Sequence, residues 1–126
     1  MTTVSGPLTV QAQQLYRALS DADATAASAF LADGHEPAAL RQRYEGDIAS
    51  ATAALSAATA ADRDQPTVAR IAAQLPVYTG LVETARTYNR QNLPVGAAYL
   101  REASALMRND LLVSAKSLYD AETAQV

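Results

Sequence analysis

Apolar residues recur along this chain at intervals of three and four, in four successive blocks. The first block runs Leu8, Ala12, Leu15, Leu19, Ala22, Ala26 and Ala29, and the second Leu40, Tyr44, Ile48, Ala51, Leu55 and Ala58. The third is Val68, Ile71, Leu75, Tyr78, Val82 and Ala85. The fourth is Leu100, Ala103, Met107, Leu111, Leu118 and Ala121, flanked by Tyr99, Leu106 and Val113. This spacing follows the 3.6-residue period of an amphipathic helix, and no stretch alternates with the period of two that a strand needs. Polar breaks separate the blocks at Asp33–Pro37, Asp62–Pro66 and Asn89–Pro94. In the first break Gly34 suits a helix C-cap and Pro37 the first turn of the next helix. In the second an Asp is available as N-cap with a Pro behind it. The pattern predicts helices over about 8–33, 37–61, 65–90 and 94–123, each about 40 Å long.

Four helices of equal length joined by short connections pack as an antiparallel up-down-up-down bundle, so residues 1–126 are read as one all-α domain. Both chain ends then emerge at one end of the bundle beside the Asp62–Pro66 turn, and the other two turns meet at the far end. Pro76 and Gly80 interrupt the third helix. Pro76 removes the hydrogen bond to the Ala72 carbonyl, which is read as a kink fitted around the core or as a hinge at mid-height near Tyr78. Gly46 is read as a site of close packing.

Composition sharpens the picture of the core. The chain has 29 alanines, one Phe, no Trp and no Cys in 126 residues, so small side chains must fill most of the seams. No apolar run is long enough to cross a bilayer. A net charge of −3 and a pI near 5.0 argue against nucleic-acid binding. The start, Met1 to Pro7, lacks the basic and apolar regions of a secretory signal.

Candidate chemistry is sparse. His35 is the sole histidine and falls in a break. No Cys supplies a nucleophile or soft ligand, and no helix carries the Glu-x-x-His pattern of di-iron bundles. Asp21 and Asp23 are two apart and face different sides of a helix. No glycine-rich phosphate loop is present. No catalytic residue, metal or cofactor is expected, and the chain is read as no enzyme. Charge is uneven: four basic and eight acidic side chains precede residue 66, and six and five follow. The bundle topology gathers Arg41, Arg43, Arg86, Arg90 and Arg101 toward the end away from the termini, with Tyr44, Tyr88 and Tyr99 in the same half. One reading is a solvated surface paired to Glu45, Glu83 and Glu102. The other is a recognition patch of Arg41, Arg86, Arg90, Arg101, Tyr88 and Tyr99, because a guanidinium fork grips a carboxylate bidentately and tyrosines supply amphipathic walls.

The runs Leu75-Pro76-Val77-Tyr78-Thr79-Gly80-Leu81-Val82-Glu83-Thr84-Ala85-Arg86 and Leu93-Pro94-Val95-Gly96-Ala97-Ala98-Tyr99-Leu100-Arg101-Glu102-Ala103-Ser104 carry a family resemblance. With Leu19 to Ala26 and Phe30-Leu31, they resemble the extracytoplasmic helical region of actinobacterial, Streptomyces-like membrane and secreted proteins, from about Leu15 to Tyr119. The excess of Arg over Lys, nine to one, is compatible with such a high-GC source. The helical pattern is also similar to the four-helix sensor domains of bacterial chemoreceptors and histidine kinases. The resemblance implies a non-enzymatic extracytoplasmic sensor domain, anchored in the cell membrane by flanking segments absent from this chain. It would bind a small ligand or a partner, such as a solute-binding lipoprotein or a signalling protein. The alternative is a protein–protein interaction scaffold with no small ligand. Homodimerisation through an Ala-rich helix face fits both readings.

Overall fold

A computed structural model describes residues 6–31 and 35–124, and 89% of them are helical, with no strand among them. The helices are α1 (Gly6–Phe30), α2 (Ala38–Ala61), α3 (Pro66–Arg90), α4 (Val95–Leu106) and α5 (Leu112–Thr123). A single π-helical segment, Met107–Leu111, joins α4 to α5 into one continuous fourth helix. The arrangement is an antiparallel all-α bundle. The expected stop at residues 32–33 and the Gly34 cap lie outside the described residues.

The four apolar stripes meet as one core. Leu15, Leu19, Ile71, Tyr78, Met107, Leu111 and Leu118 are its large fully buried side chains, and alanines such as Ala12, Ala22, Ala51, Ala58, Ala103 and Ala115 fill the seams between them. α2 lies along α1, and α3 along α4 and α5; the two hairpins join mainly where α5 meets α1, whereas α2 touches α3 sparsely. A polar link crosses the core at mid-height. The Tyr78 hydroxyl donates to Asp23 Oδ1 at 2.9 Å and the Ser104 hydroxyl donates to the same oxygen at 3.0 Å, tying α1, α3 and α4 together.

The connections follow local chemistry. Gln65, not an aspartate, is the N-cap of α3: Pro66 takes the first helical position, and the Gln65 side chain accepts a hydrogen bond from Thr67 N at 2.8 Å. Asp62 instead ends α2, its N–H donating to the Ala58 carbonyl. Asn92 turns the chain between α3 and α4 with φ 59°, a left-handed conformation that asparagine tolerates. Just beyond it Gly96 presses on α3. A Cβ there would stand 2.9 Å from the Ala85 carbonyl oxygen, so any side chain would push the two helices apart. Gly46, by contrast, is exposed and has nothing within 4 Å of a Cβ, so close packing does not explain it. Gly80 is equally open. Pro76 lies on the exposed face of α3, which remains one helix through it.

The fourth helix departs from expectation in one respect. Ala121, placed in the seam by periodicity, is exposed, and Glu122 is buried instead at 6% exposure. On a regular α-helix Ala103 and Ala115 would stand about 120° apart. The wide turn at Met107–Leu111 takes up roughly one extra residue and returns Ala115, Leu118 and Glu122 to the core face. Removing that residue should therefore be tolerated. Deletion of Asn109, exposed on the wide turn, is expected to keep a cooperative thermal transition and to cost less than about 2 kcal/mol. Deletion of Ala73 rotates the rest of α3 by about 100° off its core face and is expected to abolish folding. Circular-dichroism melts of the two variants check this.

Candidate functional site

The end of the bundle away from the start of α1 and the end of α5 carries the densest charge cluster. It forms where the linker into α2, the first turns of α2 and the last turns of α3 converge. Glu36, in the non-helical stretch before α2, is at its centre. Its Oε1 accepts from Arg86 Nε at 2.8 Å and lies 3.6 Å from Arg41 Nη1. Arg86 also pairs with Glu83 through Nη1. Arg41 reaches Glu45 at 2.7 Å and Glu83 at 4.0 Å. Burial pushes the Glu36 carboxyl above its ordinary value, against the pull of the Arg41 and Arg90 charges.

Beneath this cluster is a cavity of about 20 Å³, room for one water molecule. Glu36, Tyr44, Arg86, Asn89 and Arg90 line its polar side, and Ala29, Val82, Ala85 and Leu100 are among its apolar walls. Tyr44 is 94% buried by the complement of its 6% exposure, yet its hydroxyl has no hydrogen-bond partner among the described residues. The buried Arg41 Nη1 is likewise without one. Burial, reinforced by the Glu83 charge, raises the Tyr44 hydroxyl well above its ordinary pKa, so it stays a neutral donor.

The expected arginine patch is therefore narrower than sequence placed it. Arg41, Arg86 and Arg90 surround Glu36. Arg43, about 200° round the helix from Arg41, faces α1 instead and grips Asp21 with two hydrogen bonds of 2.8 and 2.7 Å. Arg101 is exposed, one position past the cavity-lining Leu100. Tyr88 and Tyr99 do meet, stacked with ring centroids 5.5 Å apart at 20°, pinning α3 to α4 close to the turn. Tyr44 is core. Glu36 escaped sequence reasoning because it is in a break; only its position between two helix ends set with arginines could have marked it.

A second polar site is between α1 and α2. A groove of about 650 Å³ is lined by Gln11, Gln14, Arg17, Asp21, Asp47 and Ser50 among others. The two hydrogen bonds from Arg43, with Asp47 nearby, hold the Asp21 carboxyl down to about 2. Burial, then the neighbouring Asp21 carboxyl, lifts Asp47 to about 7. The pair thus shares one proton through the weakly acidic range. On the third side of α1 a groove of about 400 Å³ is lined by Gln13, Tyr16, Arg17, Lys116 and Tyr119, which sets the start of α1 beside the end of α5. Among the described residues no group of three or more His, Cys, Asp or Glu could hold a metal ion.

The carboxylate pair sets a pH dependence. Asp47 has a raised folded-state pKa, so its contribution is full below its ordinary value of 3.8 and lost as pH rises through about 7. Asp21 works oppositely, its contribution being lost as pH falls from 3.8 toward 2. Asp47→Asn removes the proton to be lost. It is expected to melt close to wild type at pH 4 and progressively above it as pH rises, by a few degrees at pH 8, read from melting points across pH 4–9.

No described helix is long and apolar enough to cross a membrane. No curated protein and no solved structure matches the chain. The family model described as actinobacterial sensor domain matches residues 1–126. The chain belongs to the actinobacterial sensor domain family.

Proposed function

We propose that this domain is the non-enzymatic signal-input module of a membrane-anchored, extracytoplasmic sensor, and that its input acts at the Glu36 end of the bundle. The observation that carries this reading is the placement of the charge cluster. Glu36 and Arg86 connect the α1–α2 hairpin to α3, and α2 and α3 touch only sparsely. The start of α1 and the end of α5 are at the opposite pole, about 37 Å away along α1, where the two helices run side by side. A small ligand or a partner protein that breaks or tightens the distal ion pairs changes how the two hairpins pack. The rods carry that change to the start of α1 and the end of α5, and so to any membrane helices attached there. Such a mechanism needs only a differential affinity for two packings.

Sequence makes the test convenient, because the chain has no cysteine and spin labels go only where thiols are introduced. Val10→Cys on α1 and Ala121→Cys on α5 are both on exposed positions. Double electron–electron resonance between them, with and without Arg86→Gln, is expected to show a shift or broadening of the distance distribution when the distal pair is cut. Identical distributions would remove the proposed coupling between the two ends.

A further inference from the structure

We infer that Arg41, Arg86 and Arg90 form a binding site for a small carboxylate on a short apolar stem, and that Glu36 occupies it from within the chain. The inference rests on the reading that this end receives the signal, and it names the chemical class of the ligand. Three guanidinium groups face three carboxylates here: Glu36, Glu45 and Glu83. Two of these are at the water's edge, Glu45 with a side chain 55% exposed and Glu83 49%. Glu36 is only 17% exposed and is the carboxylate next to the cavity. It is also the one whose backbone belongs to no helix. Its side chain can leave by rotation of the His35–Pro37 linker without unwinding a turn.

The lining has unused donors. Arg41 Nη1 and the Tyr44 hydroxyl are buried with no hydrogen-bond partner among the described residues, although Glu36 Oε1 stands 3.6 Å from the first. Glu36 therefore fills the site imperfectly: it makes one good hydrogen bond, to Arg86, where the lining offers more. A free carboxylate is not tethered to the linker and can settle between the guanidinium groups with both oxygens engaged. The space vacated by the Glu36 side chain, together with the small cavity walled by Ala29, Val82, Ala85 and Leu100, would take the short stem. With Glu36 displaced, the three cations would retain two anions, so the entering ligand restores the charge balance.

Chemical rescue tests this. Melting points of wild type, Glu36→Ala and Glu36→Ala with Arg86→Gln are measured while sodium chloride is replaced by sodium propionate at constant ionic strength. Propionamide and sodium sulfate serve as controls. Glu36→Ala is expected to melt below wild type and to be restored by propionate, saturably, by about 3 °C or more. Wild type should respond at least tenfold more weakly, and Arg86→Gln should abolish the gain. An equal response to chloride, propionamide and propionate overturns the inference, as does a gain that survives Arg86→Gln. Equal rescue by sulfate overturns the assignment to carboxylates. Should Glu36→Ala fail to fold, Glu36→Gln keeps the shape, loses the charge and carries the same comparison. Spin-label distances between positions 10 and 121 in the Glu36 variant separate the two ideas. A distance change without rescue overturns the carboxylate site and leaves the coupling standing; no change in either overturns both.

Discussion

Close approach of α1 and α2 is the constraint on which the rest of this bundle depends. Alanine methyl groups face the seam from both sides: Ala18, Ala22 and Ala26 on α1, with Ala51, Ala54 and Ala58 on α2. Each buried methyl contributes only about 0.8 kcal/mol by transfer, so the stabilisation comes from many atoms held at contact distance. Such a seam cannot tolerate bulk. It leaves space-filling to a few large residues, Leu15 and Leu19 on α1 and chiefly Tyr78, Ile71, Met107 and Leu111 on the other helices. Tyr78 is too long to end in apolar surroundings, and its hydroxyl meets Asp23 on α1. The thin seam and the mid-height polar link are two consequences of one choice of small residues.

The same choice explains the wide turn in the fourth helix. Leu111 and Ala115 must both reach a core whose opposite wall is set by the α1–α2 pair. A regular helix would carry them progressively round its axis, and the π-helical segment resets the register. Asp110 lies within that segment and is anchored from α3 by Arg70, with hydrogen bonds of 2.9 and 2.8 Å. Gln74 adds a third at 3.3 Å. The register change is thereby fixed to the neighbouring helix rather than left free along the rod.

Periodicity made the all-α fold legible, because seams spaced by three and four leave little choice once four helices of equal length are present. Its failures have local causes. Ala121 was displaced by Glu122 because a π turn leaves no mark in an apolar pattern that already tolerates spacings of three and four. The cap of α3 fell to Gln65 because proline geometry outranks the preference for aspartate at that position. Gly46 could not be told from a packing glycine, since glycine on a surface and glycine in a seam read alike. The charged residues were the least legible. Sequence brought Arg41, Arg86 and Arg90 to one end through topology, but which carboxylate each one meets depends on rotation about the helix axis and on a linker with no periodicity. Arg43 and Glu36 are the two cases.

The distribution of apolar and ionic contacts gives the molecule a preferred place to yield. Along α1–α2 and α1–α5 the helices are held by continuous buried surface, which resists change because any separation opens voids. Between α2 and α3 the contact is sparse, and the distal ion pairs supply much of what joins them. The more exposed Arg41–Glu83 pair contributes little net stability, and even the largely covered Glu36–Arg86 pair gives up much of its Coulomb attraction to desolvation and side-chain ordering. They can be exchanged for others at small cost. Under the proposal made above, such a domain keeps three interfaces rigid and leaves the fourth to be set by whichever anion meets the arginines. In the proposed reading the well-packed interfaces convert a small change at one pole into a displacement at the other, because close-packed helices resist internal deformation and shift as rods.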